Sequence, residues 1–258
     1  MLEQVENIET KFPRASVLGY PVDLVNIEEA LDYAEKAIVA GKGKQVVTIN
    51  PEMIMQAIEN PDLSRILKNA DLIIPDGVGV VKILKLLGIN NIKRLPGIEF
   101  SQGLIEIAVK NGYRLAFLGA SNDVISEMLD VFNKKYNNIN IVYSHDGYFN
   151  DNDEPQLIEN LKQANPDILF IALGVPKQEI WVEKYRSEFP SVIMAGVGGS
   201  FDVWANRVKR APLIFRTLGL EWFYRLITQP SRFSRMFPTL PLFFIKVVLD
   251  KKNTRKEY

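Results

Sequence analysis

Six short apolar runs constrain this 258-residue chain more than any other feature: each ends in a polar or glycine-containing turn and is followed by helical periodicity. Val46-Val47 leads into Thr48-Ile49-Asn50-Pro51-Glu52, and Leu72-Ile73-Ile74 into Pro75-Asp76-Gly77. The run 115–118 leads into Gly119-Ala120-Ser121, and 139–143 into His145-Asp146-Gly147-Tyr148. The run 168–173 leads into Gly174-Val175-Pro176-Lys177-Gln178-Glu179, and 192–195 into Gly196-Val197-Gly198-Gly199-Ser200. Amphipathic segments such as 122–136 and 154–164 lie between them. Strands alternating with helices of this length predict βαβ units and a mostly parallel sheet. Strands that are apolar throughout predict helices on both faces of that sheet. The expected fold is therefore α/β and Rossmann-like, with a basic amphipathic helical appendage at the C-terminus. Residues 1–210 read as the α/β domain that carries the chemistry, and 211–258 as the appendage. A seam is expected near residues 88–100.

Composition narrows the chemistry. The chain has no cysteine, which excludes disulfides, thiolate metal sites and cysteine nucleophiles. A single histidine, His145, rules out a multi-histidine metal site, and it reads as a surface or turn residue. Acid–base work near neutral pH then falls mainly to carboxylates. The N-terminal segment MLEQVENIETKFPR has no apolar stretch resembling a signal peptide, so a cytoplasmic site is expected. Net charge is zero but unevenly placed. From Arg207 onward there are twelve Lys/Arg and three Asp/Glu, a charge of +9; residues 1–206 hold 19 basic and 28 acidic groups, a charge of −9.

An acidic body with a basic, aromatic-rich tail points to an anionic partner for the tail. Residues 218–229 read as an amphipathic helix carrying Trp222, Phe223, Tyr224 and Leu226, closed by Pro230. The apolar run 240–249 is too short to span a bilayer, which takes ~20 residues. Basic residues interleaved with Trp and Phe suit a helix lying in a membrane interface. The alternatives are an ordinary basic surface helix or a contact with a second subunit, and a homo-oligomer is a further expectation.

Ligands of open parallel sheets bind beyond the carboxyl ends of the strands, so all six turns are candidates for one shared site. The turn Gly196-Val197-Gly198-Gly199-Ser200 could bring backbone N–H groups against a diphosphate, although tight turning explains glycine equally well. Asp76 ends a buried strand, where a carboxylate can serve as a base; Asp-Gly is also a common turn pair. Thr48 and Asn50 could orient that base or a substrate hydroxyl, or cap the next helix. Lys177 could neutralise an anion and Gln178 hydrogen-bond a sugar or phosphate. Glu179 could be only a first-turn helix residue. Asp202 could accept from a base or sugar, or merely cap a helix, and Tyr148 could stack on a nucleobase or be an ordinary core or surface tyrosine after a turn.

Taken in order, TINPE (48–52), PDGVGV (75–80), KRLPGIE (93–99), FLGAS (117–121), HDGYF (145–149), ALGVPKQEIW (172–181), GVGGSFDVWANRVKRAP (196–212) and LEWFYRL (220–226) resemble the WecG/TagA/CpsF family, glycosyltransferase family 26. The resemblance covers roughly residues 17–235. It implies an inverting, metal-independent sugar transfer without a cofactor, from a UDP-sugar donor to a polyprenyl-diphosphate-sugar acceptor. That acceptor lies at the inner face of the cell membrane, so the enzyme would be cytoplasmic and peripheral, on an anionic surface. In the teichoic-acid branch the donor is UDP-N-acetylmannosamine. Asp76 would be the general base, with Thr48, Asn50, Arg94 and Gln178 lining the reaction centre. Gly119, Tyr148, Lys177, Gly198, Gly199 and Asp202 would bind the donor, with Tyr148 on the uracil and Asp202 accepting its imide N–H. Arg216, Arg225, Arg232 and Arg235 would face the lipid diphosphate.

Two other readings compete. A nicotinamide-dependent oxidoreductase would need a dinucleotide fingerprint after its first strand, which TINPE is not. A nucleic-acid-binding module could use the basic tail, but the acidic body argues against it, and no nucleic-acid partner is expected.

Overall fold

The computed structural model describes residues 12–90, 92–212, 214, 215, 221, 223, 224, 233–250 and 253–257, with side chains for all of these except 233–238 and 255–257. Six parallel strands form the central sheet in the order β4-β3-β8-β7-β5-β6. They are β3 (Lys44–Ile49), β4 (Leu72–Pro75), β5 (Leu115–Gly119), β6 (Ile141–His145), β7 (Ile168–Ala172) and β8 (Ile193–Gly196). Each of the six apolar runs supplies one of them. The largest offset is at β6, which begins at Ile141 and takes in Ser144 and His145. As the sheet's edge it is half-exposed along its length, so apolar content marks its bounds poorly.

Side chains alternate across the sheet and sort the helices into two layers. Val46, Leu72, Ile74, Phe117, Phe170 and Ala195 face one layer. That layer holds α1 (Ile27–Val39), α5 (Gly97–Asn111), α6 (Asn122–Lys135) and α9 (Ser200–Trp204). Val47, Ile49 and Ile73 face the other way, toward α2 (Pro51–Glu59), α3 (Pro61–Asn69) and α4 (Val78–Leu86). Leu118, Leu169, Ile171 and Met194 complete that face, under α7 (Glu154–Ala164) and α8 (Lys177–Tyr185). The consequence is topological. The chain leaves β3 toward the α2 side and leaves its neighbour β8 toward the α9 side. A crevice therefore opens between their carboxyl ends, the place where open parallel sheets bind ligands.

A second, antiparallel sheet has the order β2-β1-β9, from β1 (Arg14–Val17), β2 (Tyr20–Asp23) and β9 (Arg255–Glu257). None of these strands is read from the sequence, because RASV, YPVD and RKE are not apolar runs. Asp23, 1% exposed, stitches this sheet to the large one: it accepts from Ile73 N at 2.7 Å and from Arg14 Nε at 2.6 Å. Burial is the largest influence on its carboxyl and pushes its pKa up, against the lowering effect of Arg14 and the Ile73 amide. The end of the chain also returns to the body. Helix α10 (Phe233–Leu249) buries Phe243 and Val247 among α2, α4 and the hairpin. It starts ahead of the apolar run 240–249 and continues through Pro238 and Pro241, so packing holds it despite two missing amide donors.

Candidate active site

Thr48 lies on β3 opposite Ile74 of β4, one residue before the strand ends. Asn50 caps α2: its Oδ1 accepts from Met53 N at 3.0 Å, with Pro51 in the first helical turn. That capping bond spends one side-chain acceptor and leaves the amide N–H₂ for other work. At the end of β4, Asp76 N donates to Ile49 O (3.1 Å) and Gly77 N to the same oxygen (3.2 Å), so the two turns are locked together. The fit is tight: a Cβ on Gly77 would lie 2.5 Å from Pro51 Cδ, and one on Gly97 would lie 2.7 Å from Thr48 Cγ2. Glycine is required at both positions for the α4 and α5 N-termini to approach β3.

Arg94 is the hub of this corner. Its Nε donates to the Asp76 carbonyl at 2.5 Å and its Nη2 to Asp76 Oδ1 at 3.1 Å. Its Nη1 donates to Glu221 Oε2 at 2.9 Å. Burial lowers the Arg94 pKa most, but Asp76 and Glu221 together outweigh it and the net direction is upward, so the guanidinium stays charged. The expected seam near residues 88–100 is thus no boundary: Leu95 N donates to Pro75 O at 2.9 Å and brings Arg94 onto Asp76. Glu221, 3% exposed, carries no site signal in the sequence because its neighbours in LEWFYRL are mostly aromatic and apolar. Its bond to Arg94 ties Glu221 to the Asp76 corner.

Across the crevice the chain turns through Gly196-Val197-Gly198-Gly199, with Gly198 at φ +49°. Val197 N donates to Ile171 O (2.9 Å) and Ser200 N to Val197 O (3.1 Å). Gly198 N donates to Gln178 Oε1 at 3.3 Å, so this amide is committed to a side chain. Gln178 and Glu179 open α8 and are 2% and 3% exposed. Gln178 Nε2 donates to Glu179 Oε1 at 2.7 Å. Burial pushes the Glu179 carboxyl from an ordinary 4.5 up to about 7. Lys177 begins α8, and Asp202 lies in the first turn of α9.

The far end of the row holds Gly119 and Tyr148. Gly119 has φ +129°, and a Cβ there would sit 2.5 Å from the Ala172 carbonyl group, so the residue sets the close approach of β5 and β7. Gly147 N donates to Ala120 O at 2.9 Å, which holds the β6 turn beside it. Tyr148 is 82% exposed, an unpacked ring at the sheet's edge. His145 is the last residue of β6, paired with Leu118, and not a turn residue; its Nδ1 lies 2.8 Å from the Asp146 carbonyl. The expected residues therefore follow the carboxyl edge in sheet order: Asp76 and Arg94, Thr48 and Asn50, the glycine turn with Asp202, Lys177 and Gln178, Gly119, Tyr148. Arg216, Arg225 and Arg232 lie outside the described residues. Arg235 falls in α10, but its side chain also lies outside them.

Residues 15–257 match the family described as the glycosyl transferase WecG/TagA/CpsF family. The chain is 37% identical over 234 residues to the N-acetylglucosaminyldiphosphoundecaprenol N-acetyl-beta-D-mannosaminyltransferase of Bacillus subtilis (strain 168), covering 90% of each chain. It is 33% identical over 256 residues to the Staphylococcus aureus (strain NCTC 8325 / PS 47) protein of the same name, covering 99% of this chain and 90% of that one. With nearly its whole length matched, the chain belongs to the WecG/TagA/CpsF family of glycosyl transferases.

Proposed function

We propose that this enzyme transfers N-acetylmannosamine from UDP to a sugar, N-acetylglucosamine, carried on undecaprenyl diphosphate, inverting the anomeric centre without a metal, in teichoic-acid synthesis. The names of the relatives support the transferred sugar and the acceptor. The arrangement of the crevice supports the chemistry. Asp76, bonded to Arg94, follows β4, Thr48 and Asn50 lie at the end of β3, and the glycine turn follows the neighbouring strand β8. In this reading the Asp76 carboxylate takes the proton of the acceptor hydroxyl. The hydroxyl oxygen forms its bond to the donor's anomeric carbon, and the bond to UDP breaks on the opposite face with its electron pair going to the diphosphate. Lys177 and the Gly199 N–H meet the charge that develops there.

The single observation that carries this reading is the Asp76–Arg94 pair at the end of β4. The guanidinium, with Nη2 3.1 Å from Asp76 Oδ1, holds the carboxylate in one orientation. The test is UDP release with a short-chain lipid-diphosphate-GlcNAc acceptor, a panel of UDP-sugars, and EDTA throughout. Turnover with UDP-N-acetylmannosamine that survives EDTA, and falls about 10²–10⁴-fold in Asp76→Asn, is expected. Full activity in Asp76→Asn would remove the base, and turnover lost to EDTA would remove metal independence. We further propose that the basic tail and the outer face of α10 rest on an anionic membrane surface at the cytoplasmic side. Among the described residues no helix is long and apolar enough to cross a membrane.

A further inference from the structure

The Gln178–Glu179 pair contains a buried acid that the transfer step leaves without a role. A Gly198 N–H can only donate, so the Gln178 amide must turn its oxygen toward Gly198. Its N–H₂ then needs an acceptor, and Glu179 Oε1 supplies one at 2.7 Å. Glu179 Oε2 is buried with no hydrogen-bond partner among the described residues. An acid in that state costs stability, so a packing role alone would be better filled by an apolar residue. The pair also lies hard against β8: a Cβ on Gly196 would sit 2.5 Å from Gln178 Nε2 and 3.2 Å from Glu179 Oε1.

We propose that Glu179 is a positioning residue: by accepting from Gln178 Nε2 it turns Gln178 Oε1 onto the Gly198 amide and so holds the turn between β8 and α9 in its donor-binding shape. This rests on the reading of that turn as part of the donor site. With Val197, Gly198 and Ser200 committed to Ile171 O, Gln178 Oε1 and Val197 O, the Gly199 N–H is the amide that has no partner among the described residues and can be offered to a diphosphate. Glu179 touches no donor atom; it acts through Gln178.

The test compares Glu179→Gln with Glu179→Leu. An amide oxygen can replace the carboxylate as acceptor, so Glu179→Gln keeps the latch; leucine cannot. Hydrogen exchange at the Gly198 amide, followed by NMR, is expected to speed up about 10-fold or more in Glu179→Leu and to stay near wild type in Glu179→Gln. UDP affinity should weaken by about 10-fold in the leucine variant alone. A Gly198 amide equally protected in folded Glu179→Leu overturns the latch. Should that variant not fold, Gln178→Met removes the same bond, and a Gly198 amide still protected there overturns the latch as well. Failure of the donor-site reading looks different: Gly198 would be released in Glu179→Leu with UDP affinity unchanged.

Discussion

At the residue scale, Glu179 makes the sharpest claim. Its carboxyl is near 7 in the folded chain and near 4.5 when solvated, so the folded state binds the extra proton between those values. Stability from this site is greatest below pH 4.5, falls as pH rises toward 7, and stays low above it, by on the order of 3 kcal/mol at about 1.4 kcal/mol per pH unit. Glu179→Gln removes that slope. The melting temperature of the variant relative to wild type is expected to climb between pH 4.5 and 7 and then level off; a difference constant with pH would show that the buried acid is not there. Sequence alone reads Glu179 as a first-turn helix residue, since acidic residues favour that position. Its burial comes from β8 passing beneath it, a contact between residues 17 positions apart in Gly196 and Glu179.

Among the elements, α10 shows how the tail is divided. Phe243 is fully buried and Val247 nearly so, while Leu242, Ile245, Val248 and Leu249 are 48%, 53%, 65% and 80% exposed. Phe243→Ala is expected to cost about 3–5 kcal/mol in a denaturant titration, and Ile245→Ala less than about 1 kcal/mol. Equal losses would mean that the helix does not pack through Phe243. The apolar run 240–249 is visible in the sequence, but which of its residues face inward is not, because it is apolar nearly all round. The partner surface on α2 and α4 decides it. Strand β9 was hidden for a related reason. Its pairing with β1 joins residues more than 230 positions apart, in a segment whose lysines and arginines suggest a solvated tail.

For the whole molecule, the same helix sets an apolar row beside a tail of charge +9. If the proposed membrane contact holds, sedimentation with phosphatidylglycerol vesicles should exceed that with phosphatidylcholine and fall steeply as salt is raised. Leu242→Glu with Ile245→Glu should weaken it further, and binding indifferent to both lipid charge and salt would refute the contact. The parallel α/β architecture, its six strands and the polar turns at their carboxyl ends were determined by the sequence alone, because apolar periodicity and turn composition are local properties. So was family membership, through motifs that need no neighbours to be read. Only the tertiary structure decided that Arg94 clamps Asp76, that Glu221 reaches the same guanidinium from the tail, and that Gln178 serves a glycine amide with Glu179 behind it. Those contacts join different βα turns, and the order of the strands across the sheet, which differs from their order in the chain, brings them together.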